Sequence, residues 1–406
     1  NFRNTEKRDE FQQSLVDKGI KPISFNKKTN QGVSTKYIFP GALIRLNGKE
    51  TAVNFLKNNP DFSYEVNFNH SVESVEYELV NAFSKLMQEK RTTVGFLQGH
   101  GEFDRYEVLD FASSLSEEFN VVQTSAENLS GEATTPDILI IAGPTQPFSE
   151  KDKYHVDQFL MNGGKILWLI DPVNVSSDSL SRGYITYAFP RDLKLGDQLF
   201  KYGVRLNYEL LQDVDCAKLM VNIAPQGSDA QWTLHPWYYS PLLTPADNHP
   251  LSRNLNRVFS EFVSSVDTVS SNKNLDKTII LTTSPYARRV KSPSSVSLEN
   301  INNPPARELF NQSFIPVGVL VEGVFTSVFE NRMIENLGVN TIDFKSQGKP
   351  SKMIVIADAG MVANKVDYTR QPPRVSEEMG YDRVSRQTFG NREFLLNAVY
   401  YLGNHN

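Results

Sequence analysis

The chain has little cysteine, no long apolar run and no basic tract, and each shortage removes a class of function. Cys216 stands alone among 406 residues, which rules out an internal disulfide and any zinc site built from several thiolates. It leaves the redox compartment open. No window of about 18 apolar residues occurs and no signal peptide opens the chain, so no segment reads as a membrane-spanning helix. A formal net charge of -5 without a Lys/Arg run gives no general attraction to nucleic acid. Gly163-Gly164 follows a helical segment and precedes a strand, the reverse of a phosphate-cradling loop, and no Walker pattern is present. ATP hydrolysis by this chain is therefore not expected. There is no Gly-x-Ser-x-Gly, and Cys216 lies outside any strand-to-helix elbow, so an activated nucleophile is not expected either. Internal repeats and low-complexity tracts are absent. What remains, with 39% hydrophobic residues, is globular and long enough for two or three cores.

Residues 92–171 organise the rest. Three short apolar runs (Val94 to Leu97, Asp137 to Ala142, Lys165 to Ile170) are each followed by turn residues: Gly99 and Gly101, Gly143-Pro144, and Asp171-Pro172. Between them, Tyr106, Leu109, Phe111 and Leu115 have helical spacing, as do Tyr154, Val156, Phe159, Leu160 and Met161 before the stop at Asn162-Gly163-Gly164. Strand, helix, strand, helix, strand predicts an α/β domain with an open parallel sheet, whose ligands sit beyond the carboxyl ends of the strands. Thr278 to Leu281, Val317 to Val321 and Met353 to Ala357 would extend that sheet to about six strands. Residues 212–260 read as an irregular aromatic insertion, and Ser284 to Pro305 as a long loop. Phe394 to Leu402 reads as a closing helix.

Residues 1–90 form a separate N-terminal α/β unit, and residues 91–406 the main domain. In the first unit a helix over Thr5 to Asp17 stops at Gly19, and Thr35 to Leu46 reads as a strand with a feature at Pro40-Gly41. Asn47-Gly48 turns a hairpin, and Ser71 to Met87 is an amphipathic helix burying Val72, Val75, Leu79, Phe83 and Leu86. This arrangement partly resembles a thioredoxin-like domain, without its Cys-x-x-Cys. The start at Asn1 and the stop after an apolar segment predict a piece of a longer chain, with membrane segments outside it.

The candidate contacts are Gly99, His100, Glu102, Asp171, Asp178, Trp232 and Trp237. His100 and Glu102, at a strand end, form either an acid/base pair or a tight turn that caps the next helix. No histidine spacing supports a metal, and no metal or cofactor is expected. Asp171 and Asp178 are ligand contacts or turn formers. Trp232, Trp237, Tyr238 and Tyr239 either stack a sugar, dock a partner or cover the sheet.

Long phrases carry a resemblance over nearly the whole chain. They include Phe96-Leu-Gln-Gly-His-Gly-Glu102, Val156 to Asp171, Leu199 to Arg205, Gln212 to Cys216, His249-Pro-Leu, Val319 to Gly323 and Gly390-Asn-Arg. In them the chain resembles the gliding-motility-associated ABC transporter auxiliary proteins of Bacteroidetes-type bacteria, the GldG family. The broader auxiliary family shares the Gly-His-Gly-Glu turn and the terminal Gly-Asn helix. The resemblance implies a flavodoxin-like or class I glutamine-amidotransferase-like sheet and a non-enzymatic, substrate-binding-like subunit. It further implies a membrane-anchored protein at the periplasmic face of the inner membrane. The implied partners are a permease subunit and, through it, an ATPase, with a link to type IX secretion and a possible homo- or hetero-oligomer.

Overall fold

The computed structural model of the chain divides into two compact units, Asn1–Arg91 and Thr92–Asn406. It describes all residues except 1–4, 30–31, 47, 57–62, 88–90, 131–134, 176–178, 181–184, 223, 225–228, 248, 271–273, 302–303 and 404–406. Asp178 and Asn47 therefore lie outside the described residues.

The first unit opens with α1 (Thr5–Asp17), which stops where Gly19 takes a φ of +91°. β1 (Ile23–Thr29) pairs with β2 (Gly32–Ile38), and β3 (Gly41–Leu46) pairs with β4 (Lys49–Asn54), both antiparallel. The single strand expected over Thr35 to Leu46 is thus two strands of different hairpins, parted at Pro40, which has no amide hydrogen for a ladder. Among the described residues the two hairpins share no sheet, so the thioredoxin-like arrangement is not reproduced there. α2 (Tyr64–Met87) begins seven residues before the expected start at Ser71. It buries Ser71, Ala82 and Leu86, while Val72 and Phe83, expected inside, are exposed.

The second unit is built on a 10-stranded sheet. Its strands in chain order begin with β5 (Thr93–Leu97), β6 (Asn120–Thr124), β7 (Ile138–Ala142) and β8 (Lys165–Leu169). A side layer follows: β9 (Val173–Asn174), β10 (Ile185–Pro190), β11 (Val204–Leu206) and β12 (Glu209–Asp213). Next come β13 (Cys216–Asn222), β14 (Trp232–Pro245), β15 (Val258–Phe259), β16 (Val266–Thr268) and β17 (Leu275–Thr282). β18 (Ala287–Lys291), β19 (Ser294–Ser297), β20 (Pro316–Thr326) and β21 (Gln347–Ile356) complete the set used below. The sheet order is β13-β14-β17-β20-β21-β8-β7-β5-β6, with β15 beside β14.

β6, β5, β7, β8 and β21 run parallel. Taken in chain order they stand 2-1-3-4-5, the flavodoxin-like doubly wound order, whose switch point lies between β5 and β7. From β21 outward through β20, β17, β14 and β13 every pairing is antiparallel. The α/β class holds, but the sheet is mixed and longer than six strands. The segment read as one crossover between the first two runs contains α3 (Leu109–Ser116) and the edge strand β6. The stretch 212–260 read as irregular is largely strand, β12 to β15, and Ser284 to Pro305 includes β18 and β19.

The central parallel strands β5, β7 and β8 and the last residues of β21 are buried on both faces, which is why they read as apolar runs. Ile138, Ile140, Leu167, Leu169, Ile354 and Ile356 face α3 and the terminal helix Asn391–Gly403. Leu139, Ile141, Ile166, Trp168, Met353 and Val355 face α4 (Glu150–Met161). Each fully buried side chain of this kind contributes roughly 1.5–3 kcal/mol. α5 (Gly196–Lys201) packs on the α4 face through Leu199, and the terminal helix, α6 (Asn391–Gly403), buries Phe394, Leu395, Ala398, Val399 and Leu402. α4 is fixed further by Asp157, fully buried, which accepts hydrogen bonds from Tyr202 Oη (2.7 Å), Ser327 Oγ (2.7 Å) and Val328 N (2.9 Å).

Candidate functional site

The loop after β5 reaches the switch point, where the topology leads one to look for a ligand. Gly101 sits at φ +71°, and a Cβ there would lie 2.1 Å from Thr145 Oγ1, so only glycine fits. The His100 carbonyl accepts hydrogen bonds from Thr145 N (2.9 Å) and Gln146 N (2.8 Å), closing the gap between the β5 and β7 loops. Gly143, at φ +66°, lets the Phe103 ring pass where a Cβ would stand 2.7 Å from it. The position is filled by the chain itself.

His100 is the latch of this closure. Its ring stacks on Phe148, centroids 3.7 Å apart and planes 5° apart. Nδ1 lies 3.1 Å from Glu102 Oε1, Nε2 lies 3.4 Å from Asp152 Oδ2, and the His100 backbone N donates to Glu102 Oε2 at 2.7 Å. Asp152 is presented by the first turn of α4, whose N-cap Ser149 accepts from its backbone N. Burial pushes the imidazole pKa down, but Glu102 and then Asp152 outweigh it, and the net direction is up. Both His100 and Glu102 are buried (6% and 8% exposed), and neither lines a cavity among those described. In the structure His100 and Glu102 form a closed turn held by the chain's own groups. Asp104, rather than His100 or Glu102, accepts from the amides of Tyr106 and Glu107 ahead of α3.

The open space lies one strand pair further along, at the ends of β8 and β21. Asp171 follows β8, and Asp358 follows β21. Asp171 Oδ1 accepts from Ala359 N at 2.6 Å, which ties one strand end to the other. Asp358 is fully buried, its Oδ2 has no partner among the described residues, and burial plus the neighbouring Asp171 carboxyl hold its pKa well above the usual carboxylate range. Burial also raises Asp171 and Glu261; for Asp171 the Ala359 hydrogen bond and Arg191 oppose it, and for Glu261 Lys365 does.

A cavity of about 250 Å³ opens there, lined among others by Asp171, Glu261, Asn364, Lys365, Glu377 and Glu378. Its floor is held by the first residue of α6: Asn391 Oδ1 accepts from Phe259 N at 2.8 Å, and Nδ2 donates to Phe259 O at 2.9 Å and Met361 O at 3.0 Å. That explains the Gly-Asn phrase at the start of the terminal helix. Arg191 lines this cavity and a larger one of about 830 Å³ beside α5. The larger space is walled by Ile170, Leu193, Leu195 and Leu199, and three of its four cations are ion-paired: Arg205 with Asp267, Lys201 with Glu330, Arg332 with Asp197. Among the described residues no group of three or more His, Cys, Asp or Glu side chains is placed to hold a metal.

The remaining sequence candidates are scattered. Gly99 takes φ +129° in the β5 loop with nothing near the place of a Cβ. Trp237, expected as a possible contact, is 4% exposed and packs on Tyr239 and Phe262, so it belongs to a core instead of a surface. Trp232, five residues earlier on the same strand, is 61% exposed. Burial first, then Asp213 and Asp215, push the Cys216 thiol up to about 12, which keeps it in the thiol form. Sequence reasoning missed Glu261, Asp358 and Asn364. Asp358 repeats the pattern of an apolar run followed by Asp that singled out Asp171, and could have been found that way; the other two carry no local signal.

The family described as an ABC-type uncharacterized transport system matches residues 91–398, most of the chain. The chain belongs to that family. It is accordingly an auxiliary component of an ABC-type transport system, and among its described residues no helix is long and apolar enough to cross a membrane. No curated protein matches it. Solved structures similar to it include the mmIFT52 N-terminal domain (14% identity, TM-score 0.41, 78% of this chain and 99% of that one). Another is the exo-β-1,4-mannosidase Op5Man5 from Opitutaceae bacterium strain TAV5 (11%, 0.27, 84% and 40%). A third is a ThuA-like protein from Parabacteroides merdae (10%, 0.31, 77% and 90%).

Proposed function

We propose that this chain is a non-enzymatic auxiliary subunit of the GldG type, acting in gliding motility and type IX secretion by docking an ABC permease subunit. On this reading it works at the periplasmic face of the inner membrane, anchored by segments outside residues 1–406, and reaches the ATPase only through the permease. Three large apolar side chains on one hairpin carry the proposal: Met220 (54% exposed), Trp232 (61%) and Leu234 (53%). Met220 stands opposite Leu234 and Asn222 opposite Trp232 in the antiparallel β13–β14 register, so the three form one ridge. Adjacent exposed apolar groups of this size mark a protein contact. β13 is also the last strand of the large sheet, where a partner finds unpaired backbone groups.

The test is co-purification of the permease with the membrane-anchored protein carrying Trp232→Ala and Leu234→Ser. Capture should fall at least about tenfold, and motility with it, while the melting temperature holds; each buried anchor of this kind is commonly worth above about 1 kcal/mol. Undiminished capture and motility would overturn the reading. A second reading, solute binding at the strand ends, is favoured by the open cavity between β8 and β21. An enzyme built on His100 and Glu102 is checked by Glu102→Gln: a folded variant that loses motility would revive it.

A further inference from the structure

We propose that the crevice at the ends of β8 and β21 binds a small organic cation, a primary amine or guanidinium compound of about amino-acid size that also carries a hydrogen-bond acceptor. The inference builds on the solute-binding reading above and adds the site and the ligand class. Volume sets the size. At about 250 Å³ the cavity lies just under the roughly 300–1,000 Å³ of drug-sized sites, and suits a ligand with few heavy atoms.

Charge sets the sign. Four carboxyl groups line the space (Asp171, Glu261, Glu377 and Glu378) against two cations, Arg191 and Lys365. Both cations are spoken for. Arg191 donates to Pro144 O (3.2 Å) and Asn174 Oδ1 (2.9 Å), and Lys365 Nζ sits 3.1 Å from Glu377 Oε2. Asp171 uses only Oδ1, on Ala359 N, among the described residues. Acidic side chains therefore outnumber basic ones in the lining, which favours a ligand that brings N–H groups and positive charge.

Asn364 supplies the independent observation. It is 4% exposed, it lines the cavity, and both Oδ1 and Nδ2 lack a partner among the described residues. Its backbone is anchored, N to Glu107 O at 2.6 Å, so the amide does not reach solvent by a local shift of its own turn. Leaving a buried polar group unpaired costs about 1–3 kcal/mol, which a chain seldom tolerates without a use. An amide presenting both an acceptor and a donor matches an N–H group and an acceptor carried side by side on one ligand.

The probes are argininamide, agmatine and glucosamine, with glutarate and glucose as controls, titrated into the 406-residue chain alone. At least one amine should bind saturably by calorimetry and shift the Asn364 side-chain amide resonances in the wild-type protein, and neither control should. Asn364→Ala and Glu261→Gln should each weaken that amine by about tenfold, the value of one hydrogen bond to a charged group. Binding of no amine overturns the proposal. So does equal binding of the controls, or amine binding that leaves the Asn364 resonances unmoved. The wild-type spectrum decides the matter if either variant fails to fold. Because the permease is absent from this experiment, its failure leaves partner docking untouched, and a failure of docking leaves this result standing.

Discussion

The strand ends of the parallel half offer two polar clusters, one at β5 and β7 and one at β8 and β21. At the first, both ring nitrogens of His100 and both carboxylate oxygens of Glu102 meet another group of the chain, and a phenylalanine ring covers the imidazole. At the second, a buried carboxyl oxygen of Asp358 and the whole Asn364 amide have none among the described residues, and Asn364 lines open space. Both hold histidine or carboxylates at the place where doubly wound sheets carry their ligands. Satisfied polar groups stabilise a fold and unsatisfied ones cost stability, so only the second arrangement needs a reason outside folding.

The largest effect should come from opening the closed cluster. His100→Ala removes a stacked ring and leaves Glu102 and Asp152 without their shared cation, and should cost about 3 kcal/mol in urea denaturation. A loss below about 0.5 kcal/mol, the level of an ordinary surface change, would remove the latch from the account. The pH profile sharpens the point. The folded His100 pKa is raised, so its contribution is complete below the ordinary imidazole value and disappears as pH rises through the folded value. The gap between wild type and His100→Gln should therefore narrow from pH 6 to pH 9; a constant gap would mean that the imidazolium contributes nothing.

Removing the buried acid of the open cluster should stabilise the fold, although the pH dependence has the same direction. Asp358 is also raised, but as an acid: its neutral form is the favoured one, so stability is complete below the ordinary carboxylate range and lost as pH climbs toward the folded value. Asp358→Asn, which keeps the oxygen that accepts from Met361 N, should match wild type near pH 4 and melt above it at pH 8, by about 1 kcal/mol. A variant less stable at pH 8 would show that the carboxylate is used by the fold. The smallest effect belongs to Asn364→Ala, which deletes an amide with nothing to lose and should stay within about 1 kcal/mol of wild type. A larger loss would mean that Asn364 is structural, and the contrast between the two clusters would collapse.

How much of this could be read in the sequence depends on which half of the sheet is considered. Val94 to Leu97, Asp137 to Ala142 and Lys165 to Ile170 are buried on both faces, and their unbroken apolar character gave them away. β6 went unread because it is an edge strand with polar Asn120 and Gln123, half-exposed and without a clean period. β14 hid behind Pro236, Pro241 and Pro245, residues that normally argue against a strand. The fold accommodates two of them where pairing is loosest: Pro236 faces the edge strand opposite Lys218, and Pro241 faces Cys216 at an irregularity in the register. In the site, Asp171 was visible as the residue ending an apolar run. Glu261 and Asn364 sit in aperiodic segments about a hundred residues apart, joined to Asp171 only by tertiary folding.

Arg191 belongs to two walls at once. Its guanidinium, held by Pro144 and Asn174, borders the small acidic space on one side and the wide apolar one on the other. If occupancy of one chamber draws that side chain toward it, the other changes shape, and the effect on affinity is then reciprocal.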